Sequence, residues 1–70
     1  MGRVAAIGET VRVQGLALAG VVLLPAEDAD AARSQWAGLP ADIEVVILTQ
    51  MARDAVPPAH DGPLTVVMPP

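Results

Sequence analysis

Seventy residues with a formal net charge of −4, four arginines and no lysine make one small acidic domain, too short for a barrel, a two-lobed nucleotide-binding enzyme or a multidomain assembly. A hydrophobic fraction of 53% excludes a disordered acidic tail. The charge balance offers no basic patch for nucleic acid or for an anionic membrane surface, and without cysteine there are no disulfides and no thiolate metal sites, a usage that fits the cytosol.

Residues 3–8, Arg-Val-Ala-Ala-Ile-Gly, form a short apolar run with β-branched members and predict a buried first strand. Thr10 is placed as the N-cap of a short helix over Val11–Ala19, weakened by Val11, Val13 and Gly15, with Gly20 as the residue just past its end. Val21–Leu24 predicts the second strand, stopped by Pro25. Glu27, Asp28 and Asp30 put negative charge in the first turn of the next helix, where the macrodipole favours it. Ala29, Ala32 and Trp36 share an apolar stripe on that helix, and Gly38 and Pro40 close it. Ile43–Leu48 is the clearest strand, and its run of apolar residues predicts burial on both faces. Thr49 is placed as the N-cap of a helix over Gln50–Val56, which Pro57-Pro58 ends. Residues 59–63 compose a loop, and Leu64–Met68 the last strand before Pro69-Pro70.

Strands and helices alternate throughout, which predicts a parallel sheet with right-handed crossovers. The expected fold is α/β: a small flavodoxin-like or Rossmann-like three-layer domain, residues 1–70, with a four-stranded parallel sheet in the order 2-1-3-4. Its core must be built from alanine, valine, leucine and isoleucine, because the chain has one Trp and neither Phe nor Tyr. Small side chains bury little area each, so stability is expected to be marginal or borrowed from a partner.

The apolar stretch Leu16–Pro25 resembles a signal core, but Glu9, Arg12 and Gln14 precede it and it is far shorter than the roughly 20 residues of a spanning helix. Met1-Gly2 lacks the Ser or Thr at position 6 that myristoylation needs.

Catalytic patterns fail one by one. Gly15 and Gly20 have phosphate-loop spacing, yet Val21 and Val22 follow them and the segment precedes a strand. A receiver-type phosphoryl acceptor needs clustered carboxylates and a lysine, but Glu9 stands alone after the first strand and Leu48-Thr49 ends the third. His60 beside Asp61 offers half of an acid–base pair in a loop of solvated composition. Ser34 has no base at motif spacing. Glu27, Asp28 and Asp30 fit a helix opening better than a cation site, and Trp36 fits the core better than a partner anchor. No catalytic residue, metal or cofactor is therefore expected, and the chain is taken as a binding or assembly module.

Ala6-Ile7-Gly8-Glu9, followed by Thr10-Val11 and by Gly15-Leu16-Ala17-Leu18-Ala19-Gly20-Val21, resembles the opening of the F subunits of V-type and A-type ATPases. Ile43–Gln50 is similar to that family's third strand and following helix start, and Pro63–Pro69 to its last strand. The chain departs from the family in Leu16 for Phe, Glu9 for Asp and the early Pro57-Pro58 stop, and the family's C-terminal regulatory segment is expected to be lacking. The resemblance implies a non-catalytic component of the central rotor stalk in a proton- or sodium-translocating ATPase or ATP synthase. Such a protein docks on the coiled-coil stalk component of the rotor, lies in the cytoplasm, and is peripheral to the membrane through the complex, with no direct membrane insertion. An acidic-to-mixed coiled coil is the expected partner. The alternative is a free-standing regulatory or binding module, which predicts a stable monomer or homodimer and no stalk binding. In a parallel sheet the strand C-termini gather on one edge. The candidate interface is therefore Gly8, Glu9, Thr10, Thr49, Gln50 and Met51 on that edge, with Val56 on the third helix.

Overall fold

In a computed structural model, which describes residues 2–57 and 62–69 (backbone only for 17–19), the β-branched runs bounded by glycine and proline become four strands. They are β1 (Arg3–Gly8), β2 (Val22–Pro25), β3 (Ile43–Leu48) and β4 (Leu64–Val67). All neighbours pair in parallel, in the order β2-β1-β3-β4. Helices α1 (Thr10–Val13), α2 (Ala29–Ala37) and α3 (Gln50–Ala55) lie in the three connections. This is the expected three-layer α/β domain.

Right-handed crossovers decide the layers. The chain moves outward from β1 to β2, then back across β1 to β3 and on to β4. So α2 and α3 share one face of the sheet, where they pack on each other, and α1 lies on the other. Strand alternation then sorts the side chains. Ala5 and Ile7 of β1, Val46 and Leu48 of β3, and half-buried Val22 and Leu24 of β2 meet α2 and α3. Ala32 and Ala52 present the helices to them, fully buried. An alanine at each contact lets the helix backbones come close to the sheet, so a core without Phe or Tyr still closes. Trp36 and Leu39 are half-buried at its margin.

Local detail differs from expectation at the first helix. Glu9, not Thr10, is the N-cap, and Thr10 is the first helical residue. The α-helix stops after Val13 and tightens into a 3-10 helix over Gln14–Ala19. Two β-branched valines and Gly15 lower helix propensity, and tighter turns take over. Gly20, at φ 77°, makes the left-handed exit that glycine tolerates. β2 runs one residue later than predicted and takes in Pro25, which an edge strand accommodates. At α2, Asp28 is the N-cap, its carboxylate accepting from the Ala31 N–H at 2.8 Å. Glu27 therefore lies before that helix rather than in its first turn. Thr49 caps α3 as expected, accepting from the Ala52 N–H. Among the described residues no helix is long and apolar enough to cross a membrane.

Candidate docking edge

The C-terminal ends of β1 and β3 stand side by side, so residues 40 positions apart become neighbours. Backbone bonds hold this edge: the Thr49 N–H donates to the Ile7 carbonyl, the Ala26 N–H to Gly8, and the Met68 N–H to Leu48. Upon it, the Thr49 hydroxyl donates to Glu9 Oε1 at 2.7 Å while accepting from Ala52. The Thr49 bond, more than any other contact, holds the Glu9 carboxyl below its ordinary range, with the backbone N–H at Glu9 and the Arg12 charge helping. Beside it, Glu27 Oε2 accepts from both the N–H and the hydroxyl of Thr10, at 2.9 and 2.8 Å. That pair ties the start of α1 to the β2–α2 connection.

The sheet changes direction between β1 and β3, and a small ligand of such a fold enters the crevice at that point. Here the crevice is spanned by the chain's own Glu9–Thr49 bond. A Cβ at position 8 would overlap the Thr49 side chain, so Gly8 lets the two ends close. The edge is thus a finished surface with an acidic bias from Glu9, Glu27 and Asp28. Among the described residues no group of three or more His, Asp or Glu side chains is placed to hold a metal ion.

The predicted interface residues divide by depth. Thr10 and Gln50 are exposed, and Glu9 is half-buried. Gly8 and Thr49 are buried and act from beneath, by supporting Glu9. Met51 and Val56 are half-buried against the α2–α3 core, so only part of each side chain is available to a partner. His60 and Asp61 lie outside the described residues.

Sequence reading missed a larger apolar surface. Every residue of β4 is exposed, Leu64 at 66% and Val66 at 48%, and the strand has no charge. Register places Val66 beside Ile47 and Leu64 beside Val45, on the face that carries α1. But α1 and the 3-10 segment pack on β1 and β2, and among the described residues the β3–β4 half of that face is thinly covered. Val67, paired with Leu48, points to the opposite face, beside α2 and α3. The signal was available: with three crossovers in this order, two helices go to one face and one to the other. Comparison of the chain with protein-family models, with characterised proteins and with solved structures gives no match.

Proposed function

We propose that the chain is a non-catalytic docking module like the F subunits, seated on the coiled-coil stalk of a V/A-type ATPase rotor through its strand C-terminal edge and β4. The observation that carries this reading is the uncharged β4, exposed along its whole length, on a domain with so small a core. An exposed apolar strand of this kind is costly in a monomer and useful in an interface. The ordered resemblance to the F subunits supplies the identity of the partner, and the sheet order agrees with the fold that resemblance implies. The acidic residues at the edge favour cationic side chains on the contacted stretch of the coiled coil. The Glu9–Thr49 closure favours a macromolecular partner over a small ligand.

Size exclusion with the coiled-coil stalk protein of the same organism tests it, at micromolar concentration. A one-to-one complex with a raised melting temperature is expected. Val66→Lys should weaken it. A well-folded chain that elutes alone overturns the rotor role and leaves a free-standing module. The same open β4 favours that second reading if the isolated chain is a homodimer, with β4 pairing across a two-fold axis.

A further inference from the structure

At the opposite end of the sheet lies a groove of about 540 Å³, walled by Trp36, Leu39, Pro40, Ala41, Ile43 and Pro63, with Glu44 at its side. We propose that this groove takes the arginine side chain of a partner polypeptide.

Three observations converge. The first is the position of Glu44. Arg3 pairs with Ile43 and Val4 with Val45, so Glu44 is an extra residue, a bulge in the ladder. A bulge re-aims a side chain that regular alternation would send to a sheet face. Glu44 lies across Gly2, where a Cβ would overlap it, and it borders the groove.

The second is charge. Glu44 forms no hydrogen bond or ion pair among the described residues. The chain's four arginines are engaged elsewhere. Arg3 is held by Asp42 through two bonds, of 2.5 and 2.9 Å, Arg33 pairs with Asp30, and Arg53 with Asp54. Arg12 adds its charge at the Glu9 edge. Among the described residues the Glu44 carboxylate thus has no counter-ion, and its field falls on the groove.

The third is the wall. Trp36 is the chain's one aromatic residue, and it lines this groove instead of lying fully inside the core. An indole face and a carboxylate both attract a cation and repel an anion. A planar guanidinium satisfies both at once, by stacking on one and donating hydrogen bonds to the other. Leu39, Pro40 and Pro63 suit its alkyl stem. An ammonium gains the charge term without the planar stack.

Trp36 also supplies the readout, because no other Trp or Tyr contributes to the fluorescence. The probe is the peptide acetyl-Leu-Arg-Leu-amide, compared with versions carrying citrulline or lysine in place of arginine. A saturable change in Trp36 emission is expected with the arginine peptide, about tenfold weaker with neutral, isosteric citrulline, and intermediate with lysine. Glu44→Gln keeps the shape, lies on an exposed residue, and should weaken arginine binding by about fivefold while circular dichroism stays unchanged. The proposal is overturned by the absence of any saturable change up to about 10 mM peptide. Equal binding of the citrulline peptide, or equal binding by Glu44→Gln, also overturns it. The site lies at the far end of the strands from the docking edge, so Val66→Lys should leave the titration unchanged, and either proposal can fail alone.

Discussion

Thr49 does three things with one side chain: it caps α3, holds Glu9, and fills the space above Gly8. It is 1% exposed, so water cannot replace what it loses. Thr49→Val keeps the shape and removes the hydroxyl, and should cost about 1–2 kcal/mol in urea unfolding. Gly8→Ala is expected to cost about 1–3 kcal/mol by overpacking, because the atoms it meets belong to a buried, branched side chain held at both ends. Acid should destabilise the fold through the same contact. Glu9 is held ionised by Thr49, and Asp42 by the Arg3 guanidinium, so both titrate lower in the folded chain than in the unfolded one. Their contribution is complete above the ordinary carboxylate range and is lost as pH falls through the depressed values. The urea midpoint should therefore drop between about pH 6 and pH 3, and Glu9→Gln should flatten part of that drop. A slope unchanged by Glu9→Gln would show that the Thr49 bond is not felt in solution.

At the scale of elements, legibility followed locality. β3 stands out because Ile43–Leu48 is β-branched and cleanly bounded, and α2 because an acidic run opens an alanine-rich stripe that Gly38 and Pro40 close. The first helix departs from expectation where Val11, Val13 and Gly15 set local preferences against one another. The edge residues were named from the topology, but the bond between Glu9 and Thr49 depends on the β1–β3 register, which no local pattern encodes. The bulge at Glu44 was illegible for the same reason. β4 is readable as a strand, and the order of the crossovers signals a face with a single helix, but which half of that face stays bare depends on where α1 packs. Val66→Lys puts a charge on that bare face with little to lose inside. It should keep the fold and lower self-association, measured by sedimentation velocity over a concentration series. Increased association would mean that β4 is not the sticky element.

The whole molecule rests on few large side chains. Ile7, Leu48, Val13 and Val46 are the largest apolar groups fully buried, and much of the remaining core is alanine. A single core in a chain this short supplies only about 3–5 kcal/mol. Ile7→Ala should cost about 2–4 kcal/mol, a loss comparable to the whole. The isolated variant is expected to lose its cooperative thermal transition, and any partner that binds only the folded chain should restore it by mass action. A sharp transition at the parental temperature would mean that the core is larger than its side chains suggest.

The strand order also has a consequence in time. β1 is made first, yet it lies between β2 and β3, and its second neighbour is complete only once Leu48 has been added. A growing chain must therefore hold Val4–Ile7 with one open, apolar edge until Leu48 has been added. Pairings between distant segments form slowly, and an unfinished edge invites the wrong neighbour. A chain released before β3 is complete should be unfolded and short-lived, whereas in the 70-residue chain the Thr49 amide, bonded to the Ile7 carbonyl, should be protected from hydrogen exchange. Birth order and burial order run against each other in this fold, and β3 is the element that reconciles them.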